Sequence, residues 1–332
     1  MGKADMIEWK PIILPNDGIN EVLSFIRSAT TTIDCKHFKL TDPAVIEELM
    51  NAQKRGIAVR VMLNPKRSDG SRVNDQTFFI FKEAGVEVQW THPKFIVSHE
   101  KTITVDKSRV LIATFNICNS CLTKVRDYAL VTNDPDIVAE VRKCYEADWK
   151  QEDFLPNPNS SLLWSNVNSR EKTLNFLDMA KKTLDIHHPK LVDAPVLDRL
   201  LAANARGVRV RFICGGGSGL SQWDFLDCFS SWRILQRSGI KLRLQKKPKL
   251  HAKLIVADEK RLLLSSFNLD RSAFDLRREI GIITEHPQAV DRLHRQFHTD
   301  WNKARPFKVP DPLSAFAMST AEKDKLPELQ HE

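Results

Sequence analysis

A chain of 332 residues, 42% apolar and 28% charged, can bury a real core and has room for two domains of ordinary size. No apolar run approaches a membrane-spanning length, and the opening Met1-Gly-Lys-Ala-Asp-Met-Ile-Glu-Trp-Lys10 lacks a signal-peptide core, so a cytoplasmic protein, peripheral to a membrane at most, is expected. The net charge of +8 favours polyanionic partners, nucleic acid or an anionic bilayer, without choosing between them. In chain order, Ile33-Asp-Cys-Lys-His-Phe-Lys39 reads as a strand leaving into a loop, and residues 44–55 have helical apolar spacing closed by Gly56. Ile57-Ala-Val-Arg-Val-Met-Leu63 is a second strand, so strand, helix, strand predicts a parallel crossover. The polar loop that follows carries Lys66, Arg67 and Arg72, which read either as a phosphate-binding entrance or as a solvated charge cluster.

Leu155-Pro-Asn-Pro-Asn-Ser-Ser161 is the natural joint, and beyond it the text starts again. Asp185 and Gly207 lie 151 residues after Asp34 and Gly56, and Asp148-Trp149 returns as Asp300-Trp301 at 152. The chain therefore reads as a tandem duplication, with domains at 1–155 and 156–308 and a loosely packed polar tail at 309–332. It should behave as a monomer that is an internal pseudo-dimer. After the second crossover strand comes Gly215-Gly-Gly-Ser-Gly219, which lacks the Lys-Ser/Thr pair of a phosphate cradle and reads as a hinge. Trp223, Phe225, Phe229 and Trp232 follow at roughly helical spacing, as core packing or as a membrane-facing lip, with Trp223 a candidate substrate contact. Six cysteines over this length do not read as a disulfide framework, and Cys118-Asn-Ser-Cys121, a lone C-x-x-C, reads as small residues lining a site.

The strongest repeat is chemical. His99-Glu-Lys101 begins an apolar strand ending at Asp106, then come Ala113-Thr114-Phe-Asn116 and Asp127; His251-Ala-Lys253 leads to Asp258, then Ser265-Ser266-Phe-Asn268 and Glu279, all 152 residues on. Residues i and i+2 of a strand share a face, so each His projects with its Lys, and a hairpin brings the Asn back beside them. Two such sets supply positive charge and donors for non-bridging phosphate oxygens, one imidazole to attack phosphorus and another to protonate the leaving oxygen. Glu279 and Asp127 are expected to accept a hydrogen bond from an imidazole, although the shorter Asp127 reaches less far. Asp106 and Asp258, at strand ends, read as turn buttresses, with Thr114 and Ser266 as structural members of the motif. His187 and His188 make a conceivable metal pair, but no carboxylate cluster accompanies them.

The pattern H-x-K-x4-D, six residues, then a small residue, [GST]-x-N, resembles the phospholipase D superfamily over nearly the whole chain. Departures are Ala113 and Ser265 where the family has glycine, and Asp127 where it usually has Glu. The resemblance implies an α/β fold of two similar domains, each a mixed sheet flanked by helices, about a pseudo-twofold axis with the site in the seam. It implies a mechanism with no metal and no cofactor. His99, Lys101, Asn116, His251, Lys253, Asn268, Glu279 and Asp127 would be the catalytic set, and His99 the nucleophile of a phosphohistidine route. Asn268-Leu-Asp-Arg-Ser-Ala-Phe-Asp-Leu-Arg-Arg-Glu279 looks like the lipid branch, so a phospholipase D or phosphatidyltransferase acting on phospholipid headgroups is expected. The alternatives are a metal-independent endonuclease of the same superfamily and a non-catalytic nucleic-acid or membrane-binding protein.

Overall fold

The computed structural model describes residues 7–216 and 222–309, with side chains omitted at 222 and 223. The glycine run beyond Gly216, the Trp223 side chain and the tail from residue 310 lie outside the described residues. The first half runs β1 (Trp9–Leu14), α1 (Asn20–Arg27), β2 (Thr32–His37), α2 (Pro43–Lys54), β3 (Ala58–Leu63), α3 (Asp75–Glu83), β4 (Glu87–Trp90), β5 (Lys101–Val105), β6 (Arg109–Ala113), α4 (Asn119–Lys124), β7 (Val125–Thr132) and α5 (Pro135–Lys150). The second runs β8 (Leu162–Trp164), α6 (Ser169–Asp178), β9 (Thr183–His187), α7 (Ala194–Ala205), β10 (Arg209–Cys214), α8 (Gln222–Arg237), β11 (Lys241–Leu244), β12 (Lys249–Leu250), β13 (Leu254–Ala257), β14 (Arg261–Ser265), α9 (Arg271–Asp275), β15 (Ile280–Thr284), α10 (Pro287–Lys303) and β16 (Arg305–Pro306).

Among the described residues the strands form two eight-stranded mixed sheets, ordered β1-β7-β6-β5-β2-β3-β4 and β16-β11-β10-β9-β13-β14-β15-β8. The eighth strand of the first sheet is β12, which comes from the second half and pairs with β7. The β2–β3 and β9–β10 pairs are parallel, as crossover units require. Their helices begin at Asp42 and Asp193, whose carboxylates accept backbone N–H bonds from Ala44 (3.1 Å) and Val196 (3.2 Å). They end at Gly56 and Gly207, whose φ values of +85° and +87° suit a residue without a Cβ.

Strand alternation divides the apolar side chains among three cores. In β6, Leu111 and Ala113 face an outer core with α1 and α2, whereas Val110 and Ile112 face a shared core. In β14, Leu263 joins the second outer core, and Leu262 and Leu264 join the shared one. The shared core unites both inner sheet faces with α5 and α10, so the central strands are apolar on both sides. Phe229 and Trp232 are buried in the second outer core with Phe225 packed against it, so these rings point inward and are not a membrane lip.

Buried charge locks the halves together. Arg126 places a guanidinium on Asp300 in the last turn of α10 (2.7 and 3.2 Å), and Arg278, 152 residues later, does the same to Asp148 in α5 (3.1 and 2.8 Å). All four are at most 3% exposed. The paired Asp-Trp landmarks are therefore receptors for the arginine of the opposite half. Removing one partner strands a buried charge, so Asp300→Ala should cost about 3–5 kcal/mol in urea unfolding, and Arg126→Met with Asp300→Leu should cost less than that single change. A double variant less stable than Asp300→Ala would refute this account.

Candidate active site

The same crossing builds the site. Just before His99, Ser98 bridges in parallel to Arg278, and the His99 N–H donates to the Arg278 carbonyl at 2.8 Å. Just before His251, β12 runs parallel to the start of β7, and the His251 N–H donates to the Arg126 carbonyl at 3.1 Å. Each histidine is thereby laid beside the acid of the other half. His99 Nδ1 lies 2.7 Å from Glu279 Oε2, and His251 Nδ1 lies 3.0 and 3.1 Å from the two Asp127 oxygens. An ionised carboxylate only accepts, so in each pair Nδ1 carries the proton, and on His251 the Nε2 atom lies 3.0 Å from Lys253 Nζ.

Each acid is fixed from its own half. Asp127 accepts from the Thr114 hydroxyl (2.6 Å), which takes the Tyr128 N–H (2.9 Å); Glu279 accepts from the Ser266 hydroxyl (2.9 Å), which takes the Ile280 N–H (3.0 Å). The shorter Asp127 thus reaches its imidazole as expected of it, at 3.0 Å against 2.7 Å for Glu279. Strand β7 brings its backbone to β12, and neither acid is exposed.

The β5–β6 hairpin pairs Thr102 with Ile112, and in β13–β14 the Ser265 N–H donates to the Lys253 carbonyl at 3.1 Å, so each hairpin returns the chain toward its asparagine, Asn116 or Asn268. Each Nζ donates to the carbonyl of its own histidine, at 2.6 Å for Lys101 and 2.7 Å for Lys253. The Oδ1 atoms of Asn116 and Asn268 are buried with no partner among the described residues. Burial and the two lysines push the His99 ring well below the usual imidazole value. Burial also lowers His251, partly offset by Asp127, and brings Lys253 down to about 8. Burial raises the Glu279 carboxyl against the nearby Arg277 and Lys101; burial acts the same way on Asp127, but the His251 and Lys253 charges outweigh it and hold that carboxyl low. The result is a cation-rich pocket, suited to a tetrahedral anion.

Asp106 and Asp258 sit at the far strand ends, where their carboxylates take the N–H groups of Thr30, Thr31 and Thr32 and of Lys181, Lys182 and Thr183. Lys66 and Arg72 line a cavity of about 610 Å³ with Trp90, Phe95 and Ile96, and Asn64 in its wall accepts the Ser98 N–H at 2.9 Å, one residue from His99. Arg67 pairs with Asp69 at 3.3 Å. His187 is engaged by the Tyr128 hydroxyl (3.0 Å) and Gln245 (2.9 Å), a satisfied core histidine.

Among the described residues, two clusters have metal-ligand composition, Asp185-His294-His298 and Glu100-Cys144-Asp148. Each already holds a protein cation: Arg211 grips Asp185 with two bonds of 2.6 Å, and Lys36 lies 2.9 Å from Glu100 and 2.7 Å from Asp148. Sequence reasoning assigned nothing to Arg126, Arg278 or Lys36, although the 152-residue step from Arg126 to Arg278 was available as a signal. It also misjudged the cysteines. Cys118 and Cys121 form a disulfide, because the turn into α4 brings their Cα atoms to 5.2 Å.

Comparison with known proteins agrees with this architecture. The family model described as "Cardiolipin synthase, PLD-like domain" matches residues 22–149 and again 173–301. The cardiolipin synthase of Clostridium perfringens (strain SM101) is 24% identical over 298 residues, covering 77% of this chain and 61% of that protein, so the chain spans under two thirds of that relative's length. Among solved structures, phosphatidylserine synthase from Haemophilus influenzae superposes with a TM-score of 0.71 at 16% identity, covering 98% of this chain and 95% of that one. Polyphosphate kinase from Porphyromonas gingivalis gives 0.70 at 15% identity, covering 96% of this chain and 53% of that one, and both show likeness of fold. With two tandem matches over most of its length and the doubled His-Lys-Asn sets in one seam, the chain belongs to the phospholipase D superfamily, in the branch of the cardiolipin synthase PLD-like domain.

Proposed function

We propose that the protein cleaves or exchanges phospholipid headgroups, as a phosphatidyltransferase or phospholipase D, through a phosphohistidine intermediate. The observation that carries this reading is the pair of imidazoles, His99 buried and His251 half-buried, each with Nδ1 on a carboxylate of the opposite half and with two lysines beside them. The names of the relatives, cardiolipin synthase and phosphatidylserine synthase, support a lipid substrate.

His99 Nε2 attacks phosphorus, forming a P–N bond as the P–O bond to the leaving alcohol breaks. Glu279 balances the charge that develops on the ring, and Lys101, Lys253, Asn116 and Asn268 stabilise the non-bridging oxygens. His251, protonated on Nε2 once the phosphodiester anion is in place, gives that proton to the leaving oxygen, then takes one from water or an acceptor alcohol, whose oxygen displaces the histidine. Accessibility supports this order: the His251 side chain is 28% exposed and His99 8%, and the group that exchanges protons with incoming alcohol is the one that must be reached. Because two lysines and two asparagines occupy the place of a Lewis acid, the proposed reaction needs no metal.

Three outcomes test the reading. Turnover of phosphatidylglycerol vesicles should survive EDTA, and collapse with recovery on added magnesium or zinc would sink the mechanism; cleavage of plasmid DNA with no lipid turnover would move the function to the nuclease alternative. On an aryl phosphodiester, whose leaving group hardly needs a proton, His251→Ala should accumulate acid-labile label while His99→Ala forms none, and label trapped only in His99→Ala would invert the roles. With the same substrate, kcat/KM should rise as His99 loses its proton below the ordinary value of 6.5 and fall as the Lys253 ammonium is lost near pH 8. Lys253→Arg, charged throughout, should move only the alkaline limb upward; a limb left in place would assign it to another group.

A further inference from the structure

The two halves brace the turn after their asparagines differently. In the second half Asp270, two residues after Asn268, caps α9, its carboxylate accepting the Ala273 N–H at 2.9 Å and the Ser272 hydroxyl at 2.7 Å. Stepping back 152 residues converts Asp270 and Ala273 into Cys118 and Cys121. At that place Cys118 makes no side-chain cap hydrogen bond to α4, and the disulfide joins the two positions instead. A covalent bond therefore stands where the other half uses a cap. The cap is always present, whereas a disulfide lasts only while nothing reduces it.

The braced segment joins two residues of the site. Ile117, between Asn116 and Cys118, donates its N–H to the Lys39 carbonyl (2.9 Å), and its own carbonyl accepts from Thr41 (2.8 Å) and Asp42 (3.2 Å). At its other end α4 leads through Val125 into Arg126, which holds Asp300, and Asp127, which holds His251. Cys121 is partly exposed, within reach of a small thiol, and the other four cysteines are buried free thiols, leaving this pair as the redox-accessible one.

We propose that Cys118–Cys121 is a reversible redox site that sets the activity of the enzyme: as a disulfide it holds Asn116 and Asp127 in position, and on reduction it releases them. An external dithiol attacks Cys121 Sγ through its thiolate, the S–S bond breaks, and the Cys118 sulfur leaves and takes a proton. The second thiol of the reductant then displaces Cys121 and closes a cyclic disulfide, so that two electrons and two protons pass to the protein. Glutathione disulfide reverses this, taking them to become two glutathione thiols.

The test uses the full chain with dithiothreitol or glutathione disulfide, reading aryl phosphodiester turnover, alkylation mass and amide hydrogen exchange over residues 114–127. Dithiothreitol should expose two alkylatable thiols, lower kcat about fivefold, on the scale of a lost helix cap, and speed exchange in that segment. Glutathione disulfide should restore all three. Cys118→Asp with Cys121→Ala, which writes the second half's cap into the first, should be active and indifferent to both reagents. Thiols already alkylatable before reduction, reduction without change in rate or exchange, or a double variant as sensitive as the parent would each overturn the proposal. The activity arm rests on the proposed function; mass and exchange do not, so a protein inert toward phosphodiesters still decides whether the turn is redox-gated.

Discussion

Each half completes the other through an exchanged pair of dipeptides, Arg126-Asp127 and Arg278-Glu279. The arginine enters a buried carboxylate at the end of the opposite half's long helix, and the neighbouring acid meets the opposite half's histidine. Arg126 and Asp127 are adjacent on β7 and so point to opposite faces, which lets that dipeptide anchor the inner face and serve the site on the other. The desolvation of four charges makes each pair costly to break even where its net contribution to stability is modest. That cost keeps the seam in register, and the seam sets where the imidazoles sit.

Within the seam the electrostatics are deliberately unbalanced. Two lysines and Arg277 outnumber the carboxylates that reach them, and burial lowers the Lys253 ammonium and both imidazoles. A neutral imidazole is a better nucleophile than its cation, and a phosphodiester anion would supply the missing negative charge. Preorganised cations store the energy that such an anion recovers on binding.

Three departures from twofold symmetry lie around the site. Asp127 replaces the longer Glu279, His251 is more open than His99, and a disulfide takes the place of the Asp270 cap. All three differences concern the His251–Asp127 pair or the turn leading to it, while the His99–Glu279 pair is enclosed. A duplicated frame can thus give unlike duties to like residues by changing access and bracing rather than the chemical groups.

The sequence determined the duplication, the crossover units and the identity of the doubled His-Lys-Asn sets, because strand periodicity and constant spacing are local and survive in one dimension. It also made the inward aromatic face of α8 legible as one of two readings, since Phe225, Phe229 and Trp232 fall at helical spacing. Whether each acid served its own half or the other was not written there: 152-residue symmetry is equally consistent with both. Only packing decided it, by pairing β12 with β7 and Ser98 with Arg278, contacts between residues more than a hundred positions apart. The same holds for Cys118 and Cys121, whose spacing permits a disulfide, a metal site or nothing, and whose bond follows from a turn shaped by Ile117 hydrogen-bonding to the loop that opens α2. Local pattern fixes which groups are present; burial and register across the seam fix which of them meet.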